Sequence, residues 1–193
     1  MRKIIVSEFV TLDGVFEDPG GAENTKHGGW SFPFWHEDIA RFKLEELFAG
    51  DALLLGRRTY EGFAAAWPAM TDEAGFADRM NGIPKYVVTQ SGEGLTWNNS
   101  RSVSDDIAQQ VAGLKQEAGQ DILVFGSAQL VNFLIEHSLV DEFRLLVYPV
   151  LLGAGKHLFS GVDKRTLNLI ESRQFPTGVV LLRYGAADIT DAQ

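Results

Sequence analysis

The stretch Asp121–His137, DILVFGSAQLVNFLIEH, decides the architecture. Ile122-Leu123-Val124-Phe125 is a short apolar run of strand length, and Gly126-Ser127 turns the chain into a segment with helical apolar period. Ser127 suits the helix N-cap, and Gly126 lets backbone approach a ligand with no Cβ in between. The unpaired N–H groups of that first turn, together with the helix dipole, favour a phosphate or another anion. A strand-glycine-serine-helix unit serves plain helix capping equally well, so support must come from other segments.

Composition limits what those segments can be. A chain of 193 residues with 45% hydrophobic and 22% charged residues fits one domain with a full core. The net charge of -9 argues against non-specific nucleic-acid binding, so no nucleic-acid partner is expected; an anion site would need local arginines or backbone N–H groups. With no cysteine there is no disulfide, thiolate nucleophile or cysteine-ligated zinc. The apolar run at Ile4–Val6 is too short for a signal peptide and no segment approaches a membrane span, so a cytoplasmic protein without a membrane partner is expected. His27, His36, His137 and His157 are scattered without a ligand-pair spacing, and no metal site is expected.

Working backwards, Lys3–Val10 is β-branched and apolar, a central strand, and Asp13-Gly14 signals a turn at its carboxyl end, the edge where open α/β sheets gather ligands. Glu17–Pro33 is a Gly-, Pro- and Asn-rich loop, either an active-site cover or a mobile insertion. His36–Phe48 reads as a helix with an apolar stripe of Ile39, Phe42, Lys43, Leu44, Leu47 and Phe48. Asp38 lies one turn before Phe42, as a first-turn acid favoured by the dipole or as an acid held in a pocket. The aromatic cluster Trp30, Phe32, Phe34 and Trp35 is suited to lining a flat-ring pocket. Asp51–Gly56 is a second strand that runs directly into Arg57-Arg58-Thr59. Arginines at a helix start oppose the dipole, a local cost that an anionic ligand would relieve.

Further on, Trp67-Pro68 ends that helix, and Thr71–Asn81 is a short helical or irregular piece. Lys85–Val88 is a third strand followed by the polar Thr89-Gln90-Ser91, and Leu95–Val103 holds a short strand. Ser104 is the expected cap of a helix through Ala118 that Gly119 closes. Gly155-Lys156 is not a Walker motif, because Val150 replaces its first glycine and no Ser or Thr follows the lysine. Leu167–Gln174 and Val179–Tyr184 form a closing antiparallel hairpin, and the residues after Gly185 form a polar tail prone to fraying. The whole predicts a three-layer α/β domain over residues 1–185 with a mixed, mainly parallel sheet, lacking the Gly-x-Gly-x-x-Gly fingerprint.

Three strand-end motifs, LLLGRRTYEGF, KYVVTQS and ILVFGSAQLVNFL, resemble in order and spacing the dihydrofolate reductase fold. With SEFVTLDGVF before them and LVDEFRLLVYPVLLGAGKHLF after, the chain from about Arg2 to Tyr184 most resembles the RibD C-terminal domain family, the reductase domain of bifunctional riboflavin-biosynthesis proteins. The resemblance implies NADPH as cofactor. Gly56, Arg57, Arg58 and Thr59 would hold its phosphates, with Thr89, Gln90 and Ser91 around its adenosine ribose and 2′-phosphate. Phe125, Gly126, Ser127, Ala128 and Gln129 would receive the pyrophosphate with Leu130 packing beside it, and Phe9, Val10, Gly14 and Val15 would approach the nicotinamide.

By the same resemblance EDIARFKLEEL is similar to the pterin-binding helix of dihydrofolate reductases. Asp38 would bind the substrate ring and promote its protonation and Phe42 would pack on it, with Asp13, Trp35 and Lys156 as further substrate contacts. Leu146 stands where those enzymes commonly carry a threonine supporting the acid, and Gly-Ser-Ala replaces their Gly-Gly-Gly turn. The expected activity is reduction of a small heterocycle, resembling 5-amino-6-(5-phosphoribosylamino)uracil reductase. The rivals are a dihydrofolate or pterin-type reductase, a non-catalytic NADP(H)-binding module and a structural scaffold. The zinc deaminase half of the bifunctional proteins is not expected in a 193-residue sequence without cysteine. A homodimer joined through the hydrophobic strand Phe143–Val150 is also expected.

Overall fold

The computed structural model describes residues 1–186, and the polar tail beyond Ala186 lies outside the described residues. Eight strands form one sheet in the order β4-β3-β2-β5-β1-β6-β8-β7. They are β1 Ile4–Thr11, β2 Gly50–Gly56, β3 Lys85–Val88, β4 Ser100–Val103, β5 Asp121–Val124, β6 Glu142–Tyr148, β7 Leu167–Gln174 and β8 Val180–Ala186. Only β8 runs against its neighbours β6 and β7; the other pairs are parallel. Helices α1 Glu37–Ala49, α2 Arg57–Ala66 and α3 Phe76–Gly82 cover one face, and α4 Ile107–Gln116 and α5 Ala128–Glu136 the other.

This layering follows from where the apolar residues sit. Ile4 and Val6 pack with Val111, Leu130 and Leu134 under α4 and α5, whereas Ile5 packs with Leu47, Tyr60 and Met80 under α1, α2 and α3. A strand covered on both sides reads as a near-continuous apolar run, and Ile4–Val6 of β1, Ala52–Leu55 of β2 and Ile122–Val124 of β5 do so because parallel crossovers place a helix over each face. A third cluster around Phe42, Leu146, Tyr148 and Phe175 closes the end beneath the β7–β8 hairpin.

Several local expectations shift. Asp106, not Ser104, caps α4: its carboxylate accepts from Gln109 N–H and the helix ends at Gln116. Phe48 leaves the expected stripe of α1 and is exposed, while Glu46 is buried in its place. Strand β6 lies between β1 and β8 with both ladders satisfied, so Phe143–Val150 offers no free edge for a second copy. The free edges are β4 and β7.

Candidate functional site

The carboxyl ends of β1, β2, β3 and β5 share one edge of the sheet, and there the two glycine junctions meet. Gly56 N–H donates to the Gly126 carbonyl at 3.1 Å. A Cβ on Gly56 would collide with Ser127 Oγ and sit 3.0 Å from the Ser127 nitrogen; Gly126 has φ +97° and a Cβ there would lie 2.9 Å from Thr59 Oγ1. Glycine is required at both places by close approach, and at Gly126 also by its left-handed backbone. Helices α2 and α5 therefore begin side by side. Neither start carries a side-chain cap or a first-turn acid, so Ser127 occupies the N-cap position of α5 without capping it. Uncapped amides and two dipole ends pointing to one place suit an anion.

Arginines frame this edge. Arg57 Nε pairs with Glu61 Oε1 at 2.7 Å, and its Nη1 donates to the carbonyls of Glu93 at 2.8 Å and Ser91 at 3.4 Å, tying α2 to the loop after β3. Thr89 Oγ1 donates to the Ser91 carbonyl in that loop, and Gln90 is exposed beside it. Arg58 is open to solvent and meets Glu23 Oε2 at 3.3 Å, so the Glu17–Pro33 loop reaches over the start of α2. Within that loop Asp18 is buried and ties the turn together. Burial would raise the Asp18 carboxyl, but bonds from Glu23 N–H, Thr25 N–H and the Thr25 hydroxyl outweigh it and hold the acid below its usual range.

The ends of β1 and β5 separate here. Their ladder runs from Ile4↔Ile122 to Val6↔Val124, after which β1 continues to Thr11 paired with β6 alone. Phe9, Phe125 and Lys43 of α1 converge beside the opening, with Lys43 Nζ 4.5 Å from the Phe125 ring centre and 5.6 Å from that of Phe9. Phe9 also packs at 5.3 Å against Tyr148, its ring tilted by 50°, and Trp30 and Phe34 stand edge-on to the same tyrosine. Trp35, 6.5 Å from Phe9, is the exposed outer wall. Tyr148 hydroxyl is buried without a partner, and burial pushes its phenol up.

Other expected residues lie elsewhere. Val10 and Leu130 belong to the core under α5, and Phe42 is buried against Phe175, its outer surface covered by the Arg173 guanidinium. Val15 is buried and bridges His157, and Gly14, at φ +80°, makes the turn after β1. Ala128 is half-buried and Gln129 exposed at the start of α5. Asp13 is spent on structure: its carboxylate accepts from the Thr11 hydroxyl at 2.5 Å, Gly153 N–H at 2.7 Å and Leu152 N–H, bonds that lower its pKa to about 2. Lys156 is paired with Glu17.

Contrary to expectation, Asp38 is not held in an apolar pocket. Its side chain is 38% exposed, paired with Arg41 at 3.1 Å and close to His36, in a polar cavity of about 350 Å³ whose far wall is Arg173–Phe175. The acid in apolar surroundings is Glu8 of β1, 8% exposed, with no donor to its Oε1. Burial, moderated by Lys43 and reinforced by Glu46, raises its pKa to about 8. Glu8 is the one acid within the apolar run Ile4–Thr11, and a lone carboxylate in a run of that kind is the local signal that marks it.

This shift fixes a pH dependence. An acid whose folded pKa is raised binds a proton in the native state that the unfolded chain has released, so its contribution to stability falls as pH rises from about 4.5 to about 8. Glu8→Gln is expected to match the wild type near pH 4 and to gain on it by on the order of 3 kcal/mol by pH 7. Urea unfolding across that range checks this; parallel curves for the two proteins would contradict it.

Among the described residues no three acidic or histidine side chains converge as a metal cage, and no helix is long and apolar enough to cross a membrane. The Bacillus subtilis (strain 168) protein YyaP, uncharacterized, is 32% identical over 187 residues, covering 95% of this chain and 94% of its own. The fold is that of a putative riboflavin biosynthesis protein from Shewanella sp. PV-4 (TM-score 0.74, 18% identity, 96% of this chain and 99% of that one). It is also that of Enterococcus faecalis dihydrofolate reductase complexed with NADP(H) (TM-score 0.61, 14% identity, 96% and 97%). The model of the RibD C-terminal domain matches residues 2–181, so the paired glycine junctions and split central strands are those of a member of the RibD C-terminal domain family.

Proposed function

We propose that this protein is an NADPH-dependent reductase of a small heterocyclic compound carrying a C=N bond, of the pyrimidine type handled in riboflavin biosynthesis. Family membership supports a reductase role. The observation that carries the cofactor reading is the abutment of Gly56 and Gly126, which brings two uncapped helix starts to one point of the sheet edge. A dinucleotide pyrophosphate fits that donor set, and the solved reductase of the same fold was obtained with NADP(H). Bound there, the cofactor supplies a hydride.

The chain's own residues do the rest. Arg57 and the Thr89–Ser91 loop supply charge and hydroxyls suited to a ribose 2′-phosphate, giving preference for NADPH over NADH. Phe9, Phe125 and Trp35 provide flat apolar surfaces that orient a ring and exclude water. The pterin-type alternative depends on a buried carboxylate at Asp38, and that side chain stands half in solvent on an ion pair with Arg41.

Arg57→Ala is expected to weaken NADPH binding roughly 10- to 100-fold, as loss of a charge-assisted hydrogen bond does, while changing NADH binding much less. Fluorescence titration of both nucleotides against both proteins measures this. A wild type that binds neither nucleotide at millimolar concentration would remove the reading.

A further inference from the structure

We propose that Glu8 is the proton donor of this site, an assignment that rests on the reductase reading above. Its position is the first indication. Glu8 follows the last rung of the β1–β5 ladder by two residues, where the strands have parted, and its Oε1 lies 3.6 Å from where a Cβ on Gly126 would stand. The carboxyl therefore sits at the glycine junction that the cofactor reading uses, in the middle of the sheet.

Its surroundings give it no structural task. No donor reaches Oε1. A buried carboxyl that holds nothing together costs the fold stability, and an apolar residue would cost less. The charged groups around it are Lys43 and Glu46 on α1, with Arg144 and Glu142 of β6 connected through Glu46. Helix α2 presents the uncharged Thr59 toward Gly126, and α5 opens with the uncharged Ser127-Ala128-Gln129. Lys43 lowers the Glu8 pKa only through its field, since its ammonium is bonded to Glu46 and Ser7 on the α1 face. In the resting state the carboxyl holds its proton at neutral pH, because burial outweighs the attraction of Lys43.

The step balances with the reduced nicotinamide as the reductant. The hydride enters the carbon of the C=N bond, the π pair moves to the nitrogen, and that nitrogen takes the proton from the Glu8 carboxyl. Glu8 is left as a carboxylate, and the two electrons would come from the reduced nicotinamide, which would become oxidised. A proton from solvent restores the acid after product leaves. Hydride delivery without a proton source would leave an anionic nitrogen, and a neutral acid of pKa near the working pH is the efficient partner.

The test compares wild type, Glu8→Gln, Glu8→Asp and Asp38→Asn. Difference infrared spectra of wild type minus Glu8→Gln, without substrate, are expected to show a protonated carboxyl at pH 7 that is lost on raising the pH through about 8. Glu8→Gln should bind NADPH within about threefold of wild type and lower kcat by at least about 100-fold with pyrimidine or pterin substrates, the usual worth of a positioned acid. Glu8→Asp, retaining the acid, should recover part of that loss. No protonated-carboxyl signal at pH 7, or a Glu8→Gln kcat within threefold of wild type, overturns the assignment; so does loss of turnover in Asp38→Asn alone. A wild type that binds NADPH and oxidises it with neither substrate class overturns the reductase reading, and the assignment with it.

Discussion

Glu46→Ala is expected to lose about 3–5 kcal/mol of stability, a large share of what a domain of this size has. The Glu46 side chain is fully buried between α1 and the sheet, where it accepts from Ser7 Oγ at 2.8 Å, from Lys43 Nζ and from Arg144 Nη1 at 3.3 Å. Lys43 and Arg144 are themselves about nine-tenths buried. Truncation leaves Lys43 with only a hydroxyl and the faces of Phe9 and Phe125, a desolvated cation with no counter-charge. Arg144 suffers less, because it keeps Glu142 at 2.7 Å, which also holds Arg183 at 2.8 Å. The paired replacement Lys43→Met with Glu46→Leu should restore most of the loss, since removing both charges together removes the desolvation cost of each. Urea midpoints of Lys43→Met, Glu46→Leu and the double variant measure the coupling. A Glu46→Ala loss below 0.5 kcal/mol, by the size expected of surface changes, would mean water reaches Lys43 freely. The same variant should lower the pKa of Glu8, because Glu46 raises it and an unpaired Lys43 pulls it down harder.

Gly126→Ala is the second large effect, and it falls on binding as well as stability. Its φ of +97° is a conformation L side chains rarely adopt, at a cost of about 1–3 kcal/mol. The added methyl would also press on Thr59 Oγ1 at 2.9 Å and approach Glu8 Oε1 at 3.6 Å, so either the Thr59 side chain turns away or α2 and α5 move apart. Because the nucleotide reading depends on those two helix starts aiming at one point, NADPH affinity should drop at least about tenfold, near 1.4 kcal/mol. Thermal unfolding and nucleotide titration of the same sample separate the two losses. Unchanged NADPH affinity in a folded Gly126→Ala protein would show that the anion is held somewhere else. Gly56→Ala tests the other half, since its methyl would meet Ser127 backbone nitrogen at 3.0 Å where no rotamer change can relieve it.

Asp38 and Glu8 are both carboxylates next to apolar residues in sequence, and they end in opposite environments. Asp38 is in the first turn of α1, where Arg41 one turn on and the His36 cap keep it in a polar setting. Glu8 is at the centre of a sheet covered on both faces, where no solvent offsets its charge. Asp13 and Lys156, both read as substrate contacts, have partners of their own in the turn at Leu152–Gly153 and in Glu17. Apart from the Thr11 hydroxyl two residues before Asp13, those partners lie more than a hundred residues away in sequence, so a polar residue in a loop could not be told from a free one.

From sequence alone came the order of elements, the third strand at Lys85–Val88, the closing hairpin and the two strand-glycine-helix junctions, because strand length, β-branching, glycine and helical period act within a few residues. The tertiary structure alone decided which acid lost its water, that β6 is an interior strand, and that Lys43, Glu46 and Arg144 share one buried network. Burial and electrostatic field at a side chain are sums over β1, α1, β5 and β6, segments up to more than a hundred residues apart, and no local pattern carries that sum.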